Sequence, residues 1–384
     1  MWMTWARAVK LLRSQLQLQP RQCRPLCPGR GHTPAATPAA TPASSPAATR
    51  PWKVLFFGTD DFAVESLKVL STSRKCGDSV VQALEVVTLS GDVPVKRFAL
   101  QSCLPMHRWP PDIGQGQFDV GVVVSFGCLL PQKLINKFPF GILNVHPSLL
   151  PRWRGPAPIF HTILRGDEVT GVTVMQIRPH RFDVGPVLSQ ETYRIQQKLT
   201  SDELGQVLAV KGAQMLIDTL RNLREKLQNK KEQSTAGATF APKIDKSLSW
   251  LVWEEQSADD IDRLSRAIGA RIPLRTLWMG RTVKLLDFTG QCHSVVPDGS
   301  GKLVPGSVFY IKESDIVSVR CKDGWVGFRS VLLKKRLTAA DFYNGYLHQS
   351  VKSPAAAAHG LFVSGRTPQT LCDDDVHTMK LPTT

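Results

Sequence analysis

"KVLFFGTDDFAVESLKVL" runs from Lys53 to Leu70. Its first six residues are an apolar run closed by Gly58, and beyond the turn Phe62, Leu67 and Leu70 recur at helical spacing. The stretch reads as strand, tight turn and helix, the opening unit of an α/β fold. Further apolar runs follow at Asp119–Gly127 (DVGVVVSFG), Gly141–His146 (GILNVH) and Gly171–Ile177 (GVTVMQI), separated by helical spacers such as PQKLINKF and APIFHTILRG. Val/Ile-rich strands alternating with helices predict a parallel sheet covered on both faces, whose ligands bind beyond the carboxyl ends of the strands.

Downstream, a capping box from Thr200 to Glu203 opens a long apolar helical pattern that ends near Gln228 and closes this first domain, 51–228. Residues 229–246 are small and polar, a linker carrying Lys230, Lys231, Lys243 and Lys246. A second domain, 247–349, begins with the capped helix SADDIDRLSRAIG and continues as short alternating runs, with Lys322-Asp323-Gly324 as a turn. That pattern predicts a small β-barrel or sandwich, and an OB-like β-barrel is the fold class expected for it. Residues 350–384, with Ala, Ser and Pro, read as a loose tail.

Upstream, residues 1–50 hold no Asp or Glu but seven cations, nearly half of the chain's formal +16. Within them WARAVKLLRSQLQL is Arg-rich and amphipathic if helical, the pattern of a mitochondrial transit peptide, and a Thr-Pro-Ala-Ala near-repeat forms a disordered spacer. A merely basic disordered arm is the alternative. The remaining positive excess favours a polyanionic partner, nucleic acid before membrane. No apolar run is long enough to span a bilayer. The eight cysteines form no Cys-x-x-Cys pair, so neither a zinc site nor a disulfide framework is expected.

There is no P-loop and no Gly-x-Gly-x-x-Gly, so the sheet must serve a different ligand. Asn144 and His146 end one strand run at i and i+2, so they face the same way, and Asp183 follows the next run. Acyl transfer to an amine needs a neutral donor for the developing oxyanion, a carrier for the amine's proton and a group that orients that carrier. Asn, His and Asp fill those needs. Each alone is more often structural, and it is their joint occurrence that points to chemistry.

In order along the chain, FFGTDDFAVESL, VVVSFGCLLPQKLI, LNVHPSLLPRWRGPAPI, FDVGPVL, FAPKIDK and LTAADFYNGY resemble the methionyl-tRNA formyltransferases, from about Trp52 to His348. The N-x-H-x-S-L-L-P stretch alone marks the wider group that uses 10-formyltetrahydrofolate. On such a chain the Arg-rich leader implies a mitochondrial matrix member. The resemblance implies a Rossmann-like formyltransferase domain and transfer of a formyl group from 10-formyltetrahydrofolate to the α-amine of methionyl-tRNA, for initiation of translation.

It further implies that Asn144 polarises the formyl oxygen, His146 assists proton transfer and Asp183 manages the proton. Ser148, Leu149, Leu150 and Pro151, with Phe126 and Gly127, would hold the folate. Arg152, Trp153, Arg154, Lys243, Lys246, Lys96 and Arg97 would meet the initiator tRNA, Trp153 by stacking on an unpaired base. No metal and no membrane are expected, and the protein should be a monomer. This chain departs from the family in a shorter basic loop near Ser90–Leu100, in GTDDFA for GTPEFA and in ARIPLRTLW for a WPGA stretch. The rivals are a formyl-folate enzyme acting on a small amine or water, and an inert tRNA binder.

Overall fold

A computed structural model describes residues 51–75, 80–292, 303–348 and 361–365. The expected transit peptide and spacer, 1–50, lie outside the described residues. Seven strands form the first sheet: β1 (Trp52–Gly58), β2 (Val81–Val87), β3 (Met106–His107), β4 (Val120–Val124), β5 (Ile142–His146), β6 (Val169–Gln176) and β7 (Val187–Arg194), in the order β3-β2-β1-β4-β5-β6-β7. Helix α1 (Asp61–Lys75) follows β1 after a two-residue turn, and the Asp60 carboxylate accepts from Ala63 N at 3.0 Å to cap it.

From β3 to β5 every pairing is parallel. The switch in strand order falls between β1 and β4, which opens a crevice at their carboxyl ends. β6 and β7 depart from the all-parallel expectation, because both run antiparallel to their neighbours. The reason is length. Helix α3 (Pro158–Leu164), which links β5 to β6, has seven residues and rises only about 10 Å. It does not return the chain to the far end of the sheet, so β6 enters from the side where β5 ends. A short helix, α2 (Pro94–Gln101), lies between β2 and β3.

The alternation of β5 sorts its side chains between two cores. Leu143 and Val145 point into the large cluster with Val54, Phe56 and Leu216 of helix α4 (Ser201–Arg221). Ile142 points the other way, into a smaller cluster with Leu55, Phe57, Phe126 and Phe138. By strand period, Asn144 and His146 share that second face. The Thr200–Glu203 capping box forms as expected and starts α4.

The second sheet comprises β8 (Leu274–Trp278), β9 (Arg281–Gln291), β10 (Val308–Ile311), β11 (Ile316–Arg320), β12 (Trp325–Leu332) and β13 (Arg336–Thr338), ordered β10-β11-β12-β9-β8 with β13 on β12. Its adjoining helix α5 (Ala258–Ile268) carries a second capping box, Ser257 with Asp260. Ser201 Oγ donates to Ala267 O at 2.7 Å and Arg266 reaches Leu199 O at 3.0 Å, so α5 fastens this sheet to the start of α4.

Leu361–Gly365, expected from sequence to belong to a loose tail, are instead part of this second body. Leu277 and Val363 exchange both backbone hydrogen bonds, at 2.9 and 2.7 Å, and Phe362 N donates to Gly306 O at 2.8 Å beside β10. The segment thus joins the two edges of the sheet, β8 and the approach to β10, and draws it toward a barrel. Phe362 is 2% exposed and packs against Trp253 and Phe342. Phe362→Ala should therefore cost about 3–5 kcal/mol, read as a lower denaturation midpoint in urea.

Candidate active site

Three stretches meet on the second-core face of β5. Asn144 Nδ2 donates to Asp183 Oδ1 at 3.1 Å, and His146 Nδ1 stands 3.7 Å from the same oxygen. The backbone N–H of Gly155 donates to Asp183 Oδ2 at 2.8 Å. Both carboxylate oxygens are thereby engaged, which a buried carboxylate requires. Asp183 comes from the ten-residue connection between β6 and β7, which folds back over the sheet face rather than turning tightly. Its backbone is left-handed, φ +53°. Ser125 (φ +46°) and Trp153 (φ +62°) share that conformation beside the crevice, and non-glycine residues held this way concentrate at functional sites.

His146 is 5% exposed, and its Nε2 lies 2.9 Å from the carbonyl oxygen of Trp153. A carbonyl only accepts, so Nε2 carries the hydrogen. Nδ1 is left facing Asp183, where it can take up a proton. Asn144 commits one amide hydrogen to Asp183 and has a second to offer. The arrangement can polarise a carbonyl oxygen, take a proton from a nearby amine and face the resulting imidazolium with a carboxylate.

The turn after β5 is fixed to β6. Thr173 Oγ1 donates to Ser148 O at 2.7 Å and accepts from Leu150 N at 3.2 Å and from Gln190 at 2.8 Å. Ser148 is fully buried, and its hydroxyl donates to Arg152 O at 2.7 Å. Ser148 and buried Leu150, expected from the resemblance to hold folate, have no surface to offer and instead frame the turn. Leu149 packs over Gly171, where any side chain would collide with it, and Pro151 is half-buried.

Phe126 and Gly127 follow β4, past its carboxyl end. Phe126 is 2% exposed and stands edge-on to Phe57 at 5.5 Å and to Trp109 at 5.0 Å. Gly127 is exposed at φ +80°, with open space where a side chain would stand.

Of the expected tRNA contacts, Trp153 needs correction, and Arg152 and Arg154 are already paired. Trp153 is 6% exposed and its Nε1 donates to Asp167 at 2.7 Å, so it cannot stack on a base. Arg152 makes a bidentate pair with the same Asp167, at 2.9 and 2.5 Å, and lies over the Trp153 ring. Arg154 donates twice to Gln233 Oε1, at 3.1 and 2.8 Å, and burial lowers its pKa. Trp153 is buried in the loop, whereas both paired arginines stay partly exposed, Arg152 with 41% of its side chain. His161 backs it, ring against Trp153 and Nε2 on Pro242 O, with burial pushing its pKa down. Lys243 and Lys246 are exposed as expected, Lys96 is half-buried, and Arg97 is exposed but paired with Asp92 at 2.8 Å.

The groups that sequence could not mark are the Trp153 carbonyl, the Gly155 N–H, Asp167 and Gln233. The first two are backbone and carry no residue signature. Gln233 lies in the polar stretch expected to be a linker, which is in fact stitched to the active-site loop. Trp153 N donates to Thr239 Oγ1 at 2.9 Å, Arg154 N to Thr239 O at 2.9 Å, and Ala241 N to Arg154 O at 2.7 Å.

Comparison with known proteins agrees with this geometry. The formyl transferase family model matches residues 111–220, and the formyl transferase C-terminal domain model matches residues 243–347. Fold and site together define a formyl-group transferase. Mitochondrial methionyl-tRNA formyltransferase of Homo sapiens is 58% identical over 306 residues, 78% of each chain. The Bos taurus protein of the same name is 55% identical over 306 residues, again 78% of each, and methionyl-tRNA formyltransferase of Roseobacter denitrificans is 34% identical over 76% of this chain and 95% of its own. The chain belongs to the methionyl-tRNA formyltransferase family.

Two solved structures share the fold. HypX from Aquifex aeolicus in complex with tetrahydrofolic acid matches with a TM-score of 0.51 at 18% identity, over 77% of this chain and 47% of that one, so this chain spans about half of it. An N-formyltransferase from Helicobacter canadensis matches at 0.52 and 15% identity, over 74% and 99%.

Gly155 supplies Asp183's backbone donor at φ +113°, and a Cβ there would lie 2.9 Å from Ala241 O. Gly155→Ala should cost about 1–3 kcal/mol of stability by thermal melting and also lower the transfer rate, since the strain falls on the loop that holds Asp183.

Proposed function

We propose that this chain transfers a formyl group from 10-formyltetrahydrofolate to the α-amine of methionyl-tRNA, in mitochondria, through Asn144, His146 and Asp183. The observation that carries the reading is the convergence of Asn144 and His146 on Asp183 Oδ1, at 3.1 and 3.7 Å, beside the Phe126–Trp109 aromatic pair. The relatives' shared name supplies the substrate class, and the mitochondrial label of the mammalian proteins supplies the compartment. All three groups come from one chain, so the site is complete in a monomer.

The crevice at Phe126, Trp109 and Gly127 suits a flat, largely apolar pterin. The bound folate supplies the formyl group. Asn144 offers its second amide hydrogen to the formyl oxygen as negative charge develops there. His146 accepts the amine's proton at Nδ1, while its Nε2–H stays on the Trp153 carbonyl, and returns that proton to the departing folate nitrogen as its bond to the formyl carbon breaks. Asp183 keeps Asn144 aimed and faces the charged ring. Carbonyl polarisation and proton removal are thus adjacent and separately anchored.

The tRNA meets the exposed lysines 243 and 246 and the second sheet, mostly through phosphates. There a groove of about 290 Å³ is lined by Trp278, Arg281, Thr282, Leu333, Lys334 and Tyr346. Arg281, Lys334 and the adjacent Lys335 are exposed and form no ion pair among the described residues, unlike Arg336, which pairs with Asp287.

The chain incubated with 10-formyltetrahydrofolate and methionyl-tRNA should yield formyl-methionine on the tRNA and none on free methionine. Release of tetrahydrofolate and formate without transfer would instead point to a hydrolase. Asn144→Ala should lower turnover roughly 10²- to 10³-fold, and His146→Ala roughly 10²- to 10⁴-fold; near-native turnover in a folded variant removes that residue from the mechanism. Arg281→Ala with Lys334→Ala should leave kcat intact, weaken tRNA binding and reduce the slope of log affinity against log salt by about one per lost phosphate contact.

A further inference from the structure

The stretch 229–246 has the composition of a spacer, yet Gln233 is bonded at both ends of its amide. Its Nε2 donates to the backbone carbonyls of Asp183, at 2.9 Å, and Gly185, at 2.8 Å. Its Oε1 accepts from Arg154 Nε and Nη2 at 3.1 and 2.8 Å. The two partners belong to the two segments that meet at the catalytic carboxylate: the β6–β7 connection bearing Asp183, and the loop after β5 bearing the Gly155 N–H and the Trp153 carbonyl.

We infer that Gln233 is a positioning residue, a clamp that holds the Asp183 connection against the Arg154 loop and so sets the carboxylate relative to Asn144 and His146. This rests on the catalytic reading of Asp183 above. The chemistry requires an amide. Asp183 is held in a left-handed conformation, φ +53°, and Gly185 sits so close to Gln176 O that any Cβ would overlap it, so the connection is both strained and tightly seated. Two carbonyls on one side need a donor, and a guanidinium on the other needs an acceptor. Glutamine supplies both from one rigid plane.

The clamp is itself anchored. Lys231 exchanges both backbone hydrogen bonds with Val187, the first residue of β7, at 2.7 and 2.9 Å. Glu232 pairs with Arg178 of the same connection at 2.5 Å. The residues on either side of Asp183 are therefore gripped by one short run of chain, whose Gln233 side chain, with Ser234 O 3.5 Å from Arg154 Nη2, reaches across to the second loop.

Gln233→Glu tests this, since it keeps the shape and the acceptor for Arg154 but sets carboxylate oxygens against the two carbonyls. Gln233→Ala, which removes both functions, is the companion. Expected is a fall in kcat of roughly 10- to 10²-fold, the cost of a misplaced catalytic group, with KM for methionyl-tRNA and for the formyl donor changed less than about twofold. In an Asp183→Ala background the same substitution should cost nothing further, because the clamp acts through that carboxylate. Hydrogen exchange of the segment around Phe182–Gly185 should quicken in Gln233→Glu.

Wild-type kcat in Gln233→Glu alongside an inactive Asp183→Ala overturns the inference. So does a loss that moves KM alone, or one that persists undiminished without Asp183. Should Asp183→Ala itself turn over normally, the catalytic reading fails separately. Exchange then decides: acceleration in Gln233→Glu supports the clamp, and unchanged exchange sinks it.

Discussion

Asp183 organises the site, because three pieces of chain with no local reason to meet are tied to it. Asn144 reaches Oδ1 from β5, and Gly155 reaches Oδ2 from the loop that follows. The Asp183 carbonyl is taken by Gln233, from beyond α4. A buried carboxylate left unpaired costs several kcal/mol, so the Asn144 and Gly155 donors hold the group in place, while Gln233 holds its backbone. That demand explains why a ten-residue connection folds back across a sheet face that a tight hairpin would leave open. It also explains how a strained backbone conformation is maintained there: the surrounding bonds over-determine it.

The same constraint separates binding from chemistry within the crevice. Phe57, Phe126 and Trp109 pack edge to face and give an apolar floor with little polar content of its own. Asn144 and His146 lie at its border because they continue the face of β5 on which Ile142 joins that floor. A single strand thus delivers its apolar half to the core and its polar end to the reacting groups. The mixed direction of the sheet serves this as well. Since β6 returns beside β5 from the same end, Thr173 stands opposite His146 and can fix the turn that follows it.

Much of this was legible in the sequence, and where it was not the reasons are physical. Strands β1, β4, β5 and β6 announce themselves as Val/Ile runs because both their faces are buried. β7, with Ser189, Gln190, Glu191 and Thr192 on an edge strand, carries no such signal. Asn144 and His146 were readable as a pair because their spacing is that of one strand face. Asp183 was readable as a polar residue after the next run, but not its place against Asn144 and His146, since that depends on how a loop folds back. Trp153 between two arginines looked like a nucleic-acid contact. Asp167, fourteen residues on, binds both the indole and Arg152 and draws them inward, a long-range pairing that local pattern does not encode. Likewise Leu361-Phe362-Val363 is too short an apolar run to stand out from a tail rich in alanine, yet it joins the edges of the second sheet.

The stretch between the two sheets combines these lessons. Its composition is that of a spacer, and a spacer has no reason to offer backbone groups to a catalytic loop. Yet Thr239 and Ala241 pair with Arg154, and Gln233 closes over Asp183, so the segment is one wall of the active site. Its lysines at 243 and 246 remain exposed while its neutral residues face inward. One run of chain can therefore contact a polyanion on its outer side and hold the catalytic loop on its inner side. The second body follows from it, with Leu251 N donating to Arg275 O of β8 at 2.8 Å, so the body proposed to receive tRNA is joined to the wall that positions Asp183 by hydrogen-bonded backbone rather than by a free tether.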